Sequence, residues 1–210
     1  MITYPGAMED LKLEDIDFNY LSTAKHLHFS SIFLQPGIRE NLPILFAKAK
    51  SLGLSTSIDP QWDPAENWDV DLSKLLPTLD IFMPNMAEFL FLTGTKTLSD
   101  GIEIIKNIAP EILLIIKDGT NGAYGWKSGN LIHQPAFLNN NVVDCIGAGD
   151  SFNAGFIHAF IKGHSMEQCL ETGVLTGAAS TTCPGGTGAF ENLEGLQQIA
   201  NNHFGRTINT

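Results

Sequence analysis

Basic residues are few: twelve Lys and Arg stand against twenty-three Asp and Glu, for a formal charge of −11. A field of that sign disfavours general attraction to nucleic acid or to an anionic membrane, so any bound phosphate must be held locally. Cysteine is scarcer still. Cys145, Cys169 and Cys183 are odd in number and include no C-x-x-C pair, which argues against a disulfide framework and suits reduced thiols in a cytosol, buried as small hydrophobes. The first twenty residues, MITYPGAMEDLKLEDIDFNY, are acidic and lack the apolar core of a secretory signal. No apolar run approaches a membrane span. His26 and His28 share one strand face, and His133, His158, His164 and His203 are scattered, so the histidines offer no metal spacing and read as surface or core residues.

What is present is enough apolar residue, 43% against 17% charged over 210 residues, for one globular domain, 1–210, with a real core. Strand-like runs alternate with segments of helical period. HLHFSSIFL (26–34) is followed by IRENLPILFAKAKSLG, then LSTSI, then an acidic loop, DPQWDPAENWD. DIFMP, the helices NMAEFLFLTG and TLSDGIEIIKNIA, and the strand ILLIIK (112–117) come next. This alternation predicts an α/β fold, a parallel sheet with helices on both faces. After Lys117 the texture changes: DGTNGAYGWKSGNLIHQP reads as a turn and a hairpin, with Asn121-Gly122 and Ser128-Gly129-Asn130 as turn residues and an antiparallel sheet edge expected there. Gly149–Thr182 and Leu193–His203 read as mainly helical.

One stretch concentrates chemistry. In VVDCIGAGDSFNAGF (142–156) a Gly-Ala-Gly turn enters a helix. Such a turn aims consecutive backbone N–H groups at one spot, and the helix dipole adds positive potential. The small size of Gly147, Ala148 and Gly149 lets a phosphate approach closely. Asp150 at the helix start is either an ordinary N-terminal acid or a carboxylate placed to accept a proton from an alcohol attacking phosphorus. Neither common nucleotide loop is present: GxxxxGK[ST] fails for want of its lysine, and GxGxxG fails because Phe152 holds the third glycine's place. Phe152 and Gly155 are expected to pack the helix against the sheet.

The run D-C-I-G-A-G-D-S-F-N-A-G resembles the second signature of the ribokinase (phosphofructokinase-B) family of carbohydrate kinases, D-T-x-G-A-G-D-x-F-x-x-G. Seven matched positions make chance agreement on the order of one in a million. Other family features follow in order: TYPGAM near the start, PNMAE, KDGTNG, and CPGGTGAF before the last helix. The resemblance implies a Rossmann-like three-layer α/β/α ribokinase fold and ATP-dependent phosphorylation of a hydroxymethyl group on a sugar or sugar-like acceptor. It makes Asp150 the catalytic base, with Gly147, Ala148, Gly149 and the Asp150 amide as the anion hole.

By the same resemblance Glu88 helps to hold Mg²⁺ through water, and Asn85 lies near the nucleotide phosphates; Asn-x-x-Glu after Pro84 is equally a helix cap with its reciprocal acid, and both readings can hold together. Lys117, Gly119 and Gly122 of KDGTNG would face the nucleotide, although any hairpin could use those glycines. Asp144 and the carbonyl of Ile146 match positions that bind a monovalent cation such as K⁺ in many relatives, with Ser180, Cys183 and Gly185 as further carbonyl donors; Asp144 reads as readily as an ordinary loop acid.

Two departures stand out. DPQWDPAENWD resembles the family's Asp-x-Asn-x-Arg stretch, but Gln61 and Asp63 hold the Asn and Arg places, so a cation is lost there while Asp59 keeps a phosphate-side or structural role. Nothing before Thr3-Tyr4-Pro5-Gly6-Ala7 supplies the relatives' first strand, their sugar-gripping aspartate, Gly-Gly-x-x-x-Asn-x-Ala or the strand lid, so the chain resembles the C-terminal two thirds of a sugar kinase, N-terminal strands and lid missing. That leaves three readings: a carbohydrate kinase whose other part lies upstream or is supplied in trans, with a homodimer as a further assembly; a non-catalytic nucleotide-binding remnant; or a nucleoside or vitamin-precursor kinase of the same fold.

Overall fold

The computed structural model describes residues 4–208, so Thr3 of the TYPGAM segment lies outside the described residues. The chain divides into two compact units, 1–116 with 126–130 and 117–125 with 131–210. Six strands make a sheet in chain order, β1-β2-β3-β4-β5-β6.

In the first unit, α1 (Phe18–Leu21) starts on the Asp17 carboxylate, which accepts from the N–H groups of Asn19 and Tyr20. β1 (His26–Ser30) follows. The strand-like run read over 26–34 ends at Ser30, because Ser31 takes a left-handed φ of 59° and Ile32–Leu34 coil into a 3-10 turn that buries Ile32 and Phe33. The helical run after it is two helices, α2 (Pro36–Arg39) and α3 (Leu42–Ser51). Pro43 sits in the first turn of α3, where a missing N–H leaves no bond broken.

β2 (Ser55–Asp59), α4 (Leu72–Leu75), β3 (Ile81–Phe82), α5 (Met86–Thr93), α6 (Leu98–Ile108) and β4 (Leu113–Lys117) complete the alternation. The pairs β1/β2, β2/β3 and β3/β4 are parallel, in registers that set His26 beside Ser55, Ser57 beside Ile81, and Ile81 beside Leu113. Each link carries helix, as parallel neighbours require. Leu113–Ile116 are all buried, which is why β4 reads as an unbroken apolar run. Phe46, Phe82, Phe89, Ile58 and Ile81 fill the core of this unit.

The histidines of β1 are structural. His26 meets Ser55 Oγ through Nδ1 and Ser57 Oγ through Nε2, both at 2.7 Å, and His28 Nδ1 meets the same Ser57 Oγ at 2.7 Å. Burial, helped by His28 and opposed by Asp80, brings His26 down to about 4, so it is neutral at pH 7.

β5 (Ala123–Lys127) and β6 (Asn130–Gln134) are joined by Ser128 and Gly129, both at positive φ (49° and 87°), the backbone a two-residue hairpin needs. β6 ends the strand order, as the expected sheet edge. In the second unit, α7 (Ala148–Ile161) and α8 (Met166–Ser180) pack closely, and α9 (Leu193–Phe204) follows. A Cβ on Gly155 would lie 2.1 Å from Thr176 Oγ1, and one on Gly173 would meet the Phe152 ring at 3.1 Å. Phe152 and Gly155 thus seat α7 on α8, a correction to their expected packing against the sheet. Period alone cannot say which neighbour an apolar face meets.

Candidate active site

α7 begins without a side-chain cap. Its N-cap is Gly147, at φ 75°, and a Cβ there would lie 2.7 Å from the Cα of Gly186. The position demands glycine twice over, for the left-handed backbone and for the approach of the 184–187 loop. Ser151 N–H donates to the Gly147 carbonyl at 2.8 Å, the first bond of the helix, and Ala148 N–H reaches back to the Cys145 carbonyl at 3.3 Å. Gly149 and Asp150 sit at the second and third helical positions, where an α-helix has no carbonyl of its own to offer an N–H. Both are exposed.

Two groups that sequence reading treated separately meet here. Lys117, at the end of β4, brings Nζ to 3.9 Å from where a Gly149 Cβ would be, and donates to Oδ1 of the buried Asn153 at 3.2 Å. The helix start therefore has a fixed cation beside it, adding to the dipole. Asn153 was not foreseen; its signal is a polar residue one turn after Asp150 on a helix face otherwise buried.

Asp144 ties the turn down. Its Oδ1 accepts from Ile146 N–H at 2.9 Å and its Oδ2 from Gly185 N–H at 3.0 Å, forty-one residues away. These amides, Ile146's first and then Gly185's, hold the carboxyl below its ordinary range against the opposing effect of desolvation. Val143 N–H donates to the Thr181 carbonyl at 2.9 Å, and Ser151 Oγ donates to the Gly186 carbonyl at 3.5 Å. So Asp144, Ile146 and Gly185 come together, with Ser180 at the end of α8 and Cys183 in the loop that follows; Cys183 N–H is 3.5 Å from the Ser180 carbonyl. In KDGTNG the glycines divide. Gly122, at φ 100°, lies where a Cβ would strike the Gln134 carbonyl at 2.0 Å, so the fold itself requires it, whereas Gly119 faces open space.

In the first unit Asn85 and Glu88 form the anticipated reciprocal cap of α5. Asn85 Oδ1 accepts from Glu88 N–H at 2.9 Å, Glu88 Oε2 accepts from Asn85 N–H at 2.9 Å, and Asn85 Nδ2 donates to Glu88 Oε1 at 2.6 Å, with Glu88 buried. Asp59 is buried and accepts from Gln61 N–H at 3.3 Å. Asp63, in the place of the family arginine, turns inward: Oδ1 accepts from Ala65 N–H at 2.9 Å, and Oδ2 from Asn67 and Trp68 N–H at 2.9 and 2.8 Å. Among the described residues, no group of three His, Cys, Asp or Glu gathers as a metal cage, and no helix is long and apolar enough to cross a membrane.

The family model described as pfkB family carbohydrate kinase matches residues 1–193. The chain belongs to that family. Among pfkB relatives, an uncharacterised sugar kinase of Archaeoglobus fulgidus is 29% identical over 196 residues, 90% of this chain and 72% of its own length. The ribokinase structure from Thermotoga maritima superposes with a TM-score of 0.77 at 26% identity, covering 96% of this chain and 65% of that one. A putative ribokinase II from E. coli, solved in complex with ATP and Mg²⁺, gives 0.76 at 24% identity, covering 92% and 64%. The matched part of this pfkB chain spans 39% to 61% of the length of several other curated relatives.

Proposed function

We propose that this chain carries the phosphoryl-transfer machinery of an ATP-dependent sugar kinase, with a hydroxymethyl group of a sugar or sugar-like molecule as acceptor. The single observation behind this reading is the start of α7, an uncapped helix on a glycine turn with Lys117 beside it. When bound, ATP supplies the phosphoryl group and Mg²⁺ spreads its charge. The backbone of Gly147, Ala148, Gly149 and Asp150 would cradle the transferring oxygens, where developing charge is stabilised most by donors already in place. Lys117, Gly119 and Gly122 would face the nucleotide, with Asn85 near its phosphates.

Glu88 suits a water-mediated hold on Mg²⁺. Each of its oxygens accepts one bond from Asn85, and a carboxylate oxygen has two acceptor sites, so the cap and a metal-bound water are compatible. Asp144 with the carbonyls of Ile146, Ser180, Cys183 and Gly185 would seat a monovalent cation such as K⁺, steadying the same turn. Asp150, exposed on the first turn of α7, takes the proton from the acceptor hydroxyl as its oxygen attacks.

Asp150→Asn tests the role, in this chain and in a version extended to the relatives' length. Turnover should fall roughly 10²- to 10⁴-fold, while nucleotide affinity holds because the backbone donors remain. Unchanged turnover would remove Asp150 from the mechanism. A nucleotide-dependent rise in melting temperature with no turnover in either version would leave nucleotide binding without phosphoryl transfer.

A further inference from the structure

Asn153 breaks the pattern that fills the rest of α7. Asparagine suits a helix interior poorly, because its amide competes with the backbone, and a buried amide must find partners. Yet Asn153 stands in the second turn of α7, 2% exposed, in a run that also buries Ser151, Phe152, Gly155 and Phe156. Its Oδ1 accepts from Lys117 Nζ at 3.2 Å, across 36 residues of sequence. Both residues belong to the second unit.

A lysine ammonium rides on a flexible four-carbon stem and samples many positions unless something holds it. Asn153 follows Asp150 by three positions, the spacing that sets two residues on one side of a helix. From there its amide holds Nζ against the helix start, 3.9 Å from where a Gly149 Cβ would be. A charge fixed in place before an anion arrives needs no reorganisation when negative charge builds up beside it. The place also says which phosphate is served. Lys117 Nζ lies at the same first turn whose amides would cradle the transferring group, and a nucleoside diphosphate has no third phosphate to put there.

We propose that Asn153 is a positioning residue that holds the Lys117 ammonium on the terminal phosphoryl group, and so sets a preference for nucleoside triphosphate over diphosphate. The proposal rests on the kinase reading of the α7 start. Asn153 acts through Lys117 and touches no substrate itself. An amide oxygen suits the task because it accepts a hydrogen bond without bringing a charge. An aspartate of the same shape would set a negative charge about as close to the ammonium and cancel part of its field, and a leucine would remove the acceptor at similar volume.

The probes are Mg-ATP and Mg-ADP, titrated calorimetrically into the chain, with the melting temperature of each protein measured alongside. Wild type should bind Mg-ATP roughly tenfold more tightly than Mg-ADP. Asn153→Leu should weaken Mg-ATP by roughly that factor and Mg-ADP little, and Asn153→Asp should act in the same direction. Lys117→Met should match Asn153→Leu. The double variant should be no worse than Lys117→Met alone, the non-additivity expected when one residue acts through another. If Asn153→Leu fails to fold, Asn153→Asp decides. No preference for Mg-ATP in wild type, a preference kept in either Asn153 variant, additive effects in the double variant, or a lowered melting temperature with both nucleotides weakened alike would overturn the proposal. An Asn153-dependent preference for Mg-ATP with no phosphoryl transfer would sink the kinase reading alone. Phosphoryl transfer with kcat and KM for Mg-ATP unaltered by Asn153→Leu would sink this proposal and leave the kinase standing.

Discussion

Two helix starts in this chain solve the same problem in opposite ways. α5 closes its own N-terminus: Asn85 and Glu88 exchange three hydrogen bonds, so the Glu88 amide of the first turn and the Asn85 cap amide each find a side chain. α7 leaves its N-terminus to others. A left-handed glycine takes the cap position and offers no side-chain cap, and Lys117 adds charge beside the first turn. The first arrangement favours stability and the second favours an anion, because donors already spent on a cap cannot also hold a phosphate.

The sharpest way to break the contrast is Gly147→Ala. The new methyl meets both a left-handed backbone and the Cα of Gly186 at 2.7 Å, so a loss of roughly 2–4 kcal/mol is expected. Urea unfolding measures it, and nucleotide-dependent stabilisation should disappear with it. Asn85→Ala should cost about 1 kcal/mol, the usual worth of a cap, with nucleotide binding reduced only if Asn85 also serves the phosphates. That split between stability and binding measures how self-contained the α5 start is.

The smallest effect concerns acid. Asp144 has its folded-state pKa lowered, so the unfolded chain takes up that proton first. Its contribution is fully present above the ordinary carboxylate range near pH 4 and is lost as pH falls through the lowered value. Asp144→Asn should therefore lower stability in the neutral region and flatten the acid limb of a stability–pH curve, the two curves converging as pH falls through the lowered value. An acid limb identical to wild type would mean that the link from Asp144 to Gly185 contributes nothing to folding.

Local pattern made much of this legible in advance. The β-α alternation, the Asn85–Glu88 cap and the glycine turn before α7 each depend on residues within a few positions of one another. The acidic loop after β2 was visible as a loop, but not the inward turn of Asp63 within it. The partners that complete the α7 start were not visible as partners. Gly186 meets Gly147 and Gly185 meets Asp144 across about forty residues, and CPGGTGAF shows only that close approach is allowed there, not what approaches. The end of β1 escaped for a different reason: Ile32 and Phe33 are as apolar as a strand, and only the left-handed backbone at Ser31 turns them into a buried coil.

The staple from Asp144 to Gly185 also has a kinetic meaning. Its loop encloses all of α7 and α8, so the anion-binding turn cannot reach its final shape until those two helices have formed and docked. Contacts that close so long a loop are entropically late. Amide hydrogen exchange at Ile146 and Gly185 should then report the opening of the helical pair as a whole, and their protection should rise and fall with that of the buried α8 core at Leu170 and Leu175.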